Sequence, residues 1–124
     1  MRIYLAGPMS NLPDFNFRAF RKKTKELRAQ GHEVFSPVES DVMNYGCGIF
    51  KNANGDIAKA EREHGFSLRE ALARDLIYIC HEADAVYLLK GWENSKGASA
   101  EHAVAVALGL EIIYERGGGS DDAI

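Results

Sequence analysis

Short apolar runs alternate with segments of helical period along most of this chain, and that alternation restricts the folds open to it more than any other feature. Arg2 to Ala6 (RIYLA) is apolar and ends at Gly7-Pro8, the pattern of a buried strand running into a turn. From Asp14 to Gln30, Phe17, Phe20 and Leu27 fall on one stripe and Arg21, Lys22, Lys23 and Arg28 lie outside it, which predicts a helix with a solvated basic face. Asp14 or Asn16 is placed to cap its start, and Gly31 to stop it. Glu33 to Ser36 (EVFS) predicts a second strand, halted by Pro37. Strand, helix and strand within about thirty-five residues is the spacing of a right-handed parallel crossover.

The alternation resumes further on. Ser67 to His81 is helical, with Ser67 and Glu70 in a capping-box pattern. Asp84 to Leu89 predicts a third strand, Ala98 to Gly109 a helix, and Glu111 to Tyr114 a last strand. Glu39 to Gly65 interrupts the rhythm, for its glycines and asparagines show little period. It predicts a long loop excursion, with a short helix near Ile57–Glu63, of the kind that forms lids. Residues 1–115 therefore read as a single α/β domain, a three-layer, open, mostly parallel sheet with helices on both faces. Residues 116–124, ending GGGSDDAI, read as a flexible tail. Such sheets bind ligands beyond the carboxyl ends of their strands, near the switch in strand order. Gly7 to Asn16, the segment from Pro37, and Lys90 to Glu101 should therefore converge on one crevice.

Composition removes several function classes. A net charge of −3 leaves no basic footprint for a nucleic acid polymer, although local amides can still hold a small anion. No apolar run approaches the ~20 residues that span a bilayer, and the first strand starts without a signal peptide ahead of it, so a cytoplasmic protein is expected. Cys47 and Cys80 lie far apart without metal-like spacing, which fits a reducing compartment. His32, His64, His81 and His102 also lack ligand spacing and read as solvated or structural, so no metal is expected. Neither a Walker loop nor a dinucleotide fingerprint is present, and no cofactor is implied.

The stretch GWENSKGASAEHAVAVALGL puts Glu101 near the start of a small-residue helix behind a Ser/Gly loop. That acid can serve as a nucleophile, bind a sugar, or only complement the positive end of the helix. Asp75 is either a second acid for glycosidic chemistry or a helix-surface residue paired with Arg69 or Arg74. Tyr4 is either the hydroxyl that orients a nucleophile or a core aromatic. Gly7-Pro8-Met9-Ser10 can offer amides and a hydroxyl to an anion, and Ser95 and Gly97 can do the same from the facing loop. Trp92 is either a pocket wall that stacks on a base or a rim aromatic lying on the long loop.

The strand IYLAGPM, the helix carrying Arg74-Asp75, the strand ADAVYLL, and SKGASAEHAVAVALGLEIIY together resemble the nucleoside 2-deoxyribosyltransferase superfamily. That group includes deoxyribosyltransferases and nucleoside 5′-monophosphate N-glycosidases. The resemblance spans most of the chain apart from Glu39–Gly65 and the tail. It implies a Rossmann- or flavodoxin-like enzyme that cleaves the N-glycosidic bond of a 2′-deoxynucleoside or its 5′-monophosphate through a covalent glycosyl-Glu intermediate, by hydrolysis or transfer. Glu101 then falls at the nucleophile, Asp75 at the acid serving the leaving base, and Tyr4 at the hydroxyl that orients the nucleophile. Ser95 stands six residues before Glu101, where the monophosphate glycosidases carry a serine and the transferases an acid, which tilts the substrate towards a nucleotide. Gly7, Pro8, Met9, Ser10, Trp92, Ser95 and Gly97 complete the implied binding set. The implied partners are a small nucleoside or nucleotide and further copies of the chain in a homo-oligomer. Ser99, His102-Ala103 and a first loop without a serine-arginine-glycine pattern depart from the family, and keep open a non-catalytic nucleotide-binding or sensing module on the same fold.

Overall fold

The computed structural model describes residues 1–116, so all but the first residue of the expected tail lies outside the described residues. Strands β1 (Arg2–Ala6), β2 (Glu33–Phe35), β3 (Ala85–Leu88) and β4 (Glu111–Tyr114) form a parallel sheet in the order β2-β1-β3-β4. The register sets Ile3 between Val34 and Ala85, with Glu111 beside Ala85 on the far side. β3 is buried throughout and β1 from Ile3 onward, because helices cover both faces and no polar face is left to alternate with an apolar one.

Successive side chains divide between two cores. Ile3, Leu5, Ala85 and Tyr87 pack with Phe20 and Leu27 of α1 (Phe17–Ala29). Tyr4, Ala6, Val86 and Leu88 pack on the other face with Ile79 of α4 (Leu68–His81) and with Ala98 and Ala105 of α5 (Lys96–Leu108). β1–α1–β2 and β3–α5–β4 step in opposite directions along the sheet. Crossovers of one hand must then lie on opposite faces, as these do. The three-layer parallel architecture expected from the alternation is the one observed.

The segment expected to be a loop excursion is largely helical. Pro37 does not only end β2: its fixed φ suits the first position of α2 (Pro37–Tyr45). A short 3-10 turn (Cys47–Phe50) and α3 (Ile57–His64) follow, the latter overlapping the short helix expected there. The Asp56 side chain caps α3 by accepting from the Ala58 and Lys59 amides. α2 buries three residues and α3 one, too few to print a period on the sequence.

Neither Asp14 nor Asn16 caps α1 through its side chain. Asp14, Phe15 and Asn16 form a left-handed turn, with φ of 50°, 54° and 62°. Contacts to the later segment hold it: the Asp14 amide donates to the Asn52 carbonyl at 2.8 Å, and Asp14 Oδ1 accepts from the Asn52 amide at 3.1 Å. Gly31 follows α1 with φ 94°, and Ser67 Oγ accepts from the Glu70 amide, both as expected. Lys23 departs from the solvated basic face. It is buried, 2.9 Å from Glu26 and stacked over the Tyr87 ring. Among the described residues, no helix is long and apolar enough to cross a membrane, and both cysteines are exposed free thiols.

Candidate active site

Glu101 lies in the second turn of α5, on the stripe Ala98–Glu101–Ala105 that faces the sheet. The two alanines let the helix approach closely enough to bury the carboxyl, whose residue is only 6% exposed. An acid a full turn inside the helix and turned away from solvent does not complement the helix dipole. Tyr4, central in β1 and fully buried, donates its hydroxyl to Glu101 Oε2 at 2.7 Å. Its ring stacks on Phe35, which stacks in turn on Tyr78. Tyr4 is thus a core aromatic whose hydroxyl is also bonded to Glu101.

Asp75 is not a surface residue. It falls on the buried stripe Ala71–Asp75–Ile79 of α4 and points towards the same place. Of its two candidate partners, Arg74 is the one engaged: its Nε and Nη2 donate to Asp75 Oδ1 at 3.0 and 2.8 Å. The same Nη2 donates at 3.0 Å to Oδ1 of Asp41, a buried acid in α2. Asp41 went unrecognised in the sequence because its segment showed no period. The signal was the spacing Val38–Asp41, one helical turn, visible once Pro37 is read as a helix start.

Three buried acids around one guanidinium cannot all be charged. Burial, reinforced by the neighbouring Asp75, pushes Glu101 up to about 8, against the opposing pull of Tyr4 and Arg74. Burial also raises Asp75, which Arg74 and the Tyr4 hydroxyl counter. Asp41 rises to about 6, again from burial and against Arg74. Tyr4 is held well above its ordinary value by burial and by Glu101, so it is a donor at any physiological pH. At neutral pH in the free protein, Glu101 carries a proton beside the arginine-paired Asp75.

These groups open into a mostly apolar cavity of about 460 Å³ at the carboxyl ends of β1 and β3, where the strand order switches. All three segments expected to converge there line it, joined by α4, which brings Asp75 together with Leu68, Ala71 and Leu72. From the first loop, Gly7, Met9 and Ser10 contribute. Gly7 can be nothing larger, since an added Cβ would meet the Leu89 side chain at 2.8 Å. Ser95 and Gly97 line the opposite side, where Ser95 Oγ caps α5 by accepting from the Ala98 amide at 3.1 Å.

Two expected binding residues stand elsewhere. Pro8 does not line the cavity. Its carbonyl accepts from Asn16 Nδ2, and its ring lies beside Gly91. Trp92 neither lines the cavity nor lies on the 39–65 segment. It packs at 4.4 Å against His102, whose Nε2 is 3.0 Å from the Tyr114 hydroxyl. The His102 and Tyr114 rings hold the indole on that side instead. No group of His, Cys, Asp and Glu among the described residues has the arrangement of a metal site.

A family model described as a domain of unknown function, DUF4406, matches residues 1–114, and the chain belongs to that family. A search of curated proteins found no match.

Proposed function

We propose that the protein cleaves the N-glycosidic bond of a 2′-deoxynucleoside 5′-monophosphate or its nucleoside, as an enzyme of the nucleoside 2-deoxyribosyltransferase type. The observation that carries this reading is the buried 2.7 Å bond from Tyr4 to Glu101, beside Asp75, at the end of an apolar cavity. An oxygen of ionised Glu101 attacks C1′ while the C1′–N bond breaks, its electron pair leaving on the base nitrogen. The base nitrogen takes its proton from Asp75, through the oxygen that Arg74 does not hold. Water, or a second base, then attacks C1′ and breaks the ester, returning Glu101 as a carboxylate and a proton to Asp75. This requires the single proton of the pair to sit on Asp75 at the moment of cleavage. Positive charge growing at C1′ beside Glu101 favours that arrangement, and the pair titrates as a unit.

The raised Glu101 also favours a second reading, a binding module in which that acid stays protonated and no turnover occurs. Incubation with a panel of deoxynucleosides and their monophosphates, with free base followed by chromatography, separates the two. Released base supports the enzyme, and melting shifts without released base support the module.

Ser95 supports a nucleotide over a nucleoside. Its oxygen accepts from Ala98, which leaves its proton free for a phosphate oxygen at the positive end of a thirteen-residue helix, with Lys96 alongside. Aspartate caps a helix as well as serine but repels a phosphate. Ser95→Asp should therefore lower kcat/KM for the monophosphate by about tenfold or more while changing that of the nucleoside less than about threefold. An equal loss for both substrates removes the phosphate from this position. Assembly into homo-oligomers belongs to the same proposal, supported by exposed Ile77, Val106 and Leu108 on the outer sides of α4 and α5. Sedimentation at the monomer mass would remove it.

A further inference from the structure

The polar groups of the cavity fall into separate sets. Tyr4, Asp75 and Glu101 cluster at the sheet, and Ser10 and Ser95 come from the loops after β1 and β3. Asp41 is the acid that α2 adds to this lining, which also holds the apolar Pro37, Ile49, Phe50 and Leu72. Its Oδ1 is anchored by Arg74 Nη2, and Arg74 is itself fixed by two bonds to Asp75, so the carboxyl cannot turn freely. Its other oxygen makes no hydrogen bond to a described residue and is not among the sealed, unpartnered polar atoms of the interior. That oxygen therefore meets the cavity. A slot of apolar and aromatic walls with one oriented acceptor suits a flat heteroaromatic ring bearing an N–H donor.

We propose that Asp41 is the specificity-determining residue of this pocket and selects a nucleobase that carries an exocyclic amino group. The inference rests on the nucleoside or nucleotide reading of the cavity, and it adds which bases enter. An ionised carboxylate can only accept, so a ring carbonyl in the amino position sets two oxygens against each other and leaves both without a donor. Burial raises Asp41 only to about 6, so it is an acceptor at pH 7.5. Arg74 is its positioning residue, and links the choice of base to the orientation of Asp75.

Binding to the Glu101→Gln protein reads this choice without turnover. Matched pairs are titrated at pH 7.5, as nucleosides and as 5′-monophosphates: deoxycytidine against deoxyuridine, deoxyguanosine against deoxyinosine, and deoxyadenosine against its deaminated-to-hydrogen purine analogue. In at least one pair the amino member should bind about tenfold tighter or more, and adding Asp41→Asn, which keeps the shape and the bond to Arg74, should bring that ratio within about threefold or invert it. Absence of a preference in every pair overturns the proposal, as does a preference that survives Asp41→Asn or a failure of every compound to bind. The pairwise comparison needs no change at Asp41, so it stands even where that variant does not fold. Donor selectivity without base release from the unaltered protein removes the glycosidase and leaves this inference. Base release without donor selectivity does the reverse.

Discussion

Glu101→Gln will abolish base release and make the protein more stable, with a stability gain that grows with pH. Glutamine still accepts from the Tyr4 hydroxyl but cannot form the glycosyl ester, so base release should fall by roughly 10³-fold or more. The stability effect follows from proton linkage. In the folded chain Glu101 keeps its proton up to about 8, whereas unfolded glutamate ionises near its ordinary value of 4.5. Between these values the folded state binds more protons than the unfolded one, so the wild-type protein loses stability as pH rises through that window. Glutamine does not titrate. The advantage of the variant should therefore be small near pH 5, increase to the order of 2–4 kcal/mol by about pH 8, and stay level above it. Thermal unfolding of both proteins across this range checks the claim. Parallel curves would mean that Glu101 titrates as an ordinary surface acid, and undiminished base release by the folded variant would remove it as the nucleophile.

Arg74→Met will be strongly destabilising, and most so at alkaline pH. Methionine keeps much of the aliphatic stem, so the main loss is the guanidinium bonded to both Asp41 and Asp75. Both acids are buried and already raised by desolvation, and Arg74 is the group that opposes the rise. Without it their folded values climb further above the unfolded ones. Stability that depends on keeping them protonated is then lost as pH rises. Removing one member of a buried ion pair costs about 3–5 kcal/mol, and that range is expected near pH 8 with a clearly smaller deficit near pH 5. Denaturant unfolding at both pH values tests it. A deficit independent of pH would show that Arg74 contributes only packing. Adding Asp41→Asn to Arg74→Met should recover part of the loss, since one of the stranded acids is gone.

Both predictions concern groups that were legible in the sequence to different degrees. The strands were plain because a parallel strand covered on both faces must be apolar throughout, as in IYLA and AVYL. The long amphipathic α1 and the Ser67 cap were plain for equally local reasons. α2 and α3 were not, since a nine-residue helix that buries three positions and an eight-residue helix that buries one leave too few to establish a period. With α2 hidden, Asp41 was hidden too. Trp92 was visible but misplaced, because nothing local says whether an indole on a short turn packs towards the cavity or towards His102.

The linear chain, then, determined the layered parallel sheet, the edge at which a pocket must open, and three residues able to serve there. Those properties follow from periodicity and topology, which act through near neighbours and repeating geometry. Only the tertiary structure decided that Tyr4, Asp75 and Glu101, far apart in sequence, share one buried site, that Arg74 ties Asp75 to Asp41, and that Glu101 holds its proton. Desolvation and pairing depend on what surrounds a group in space, and a carboxyl in the sequence carries no record of its burial.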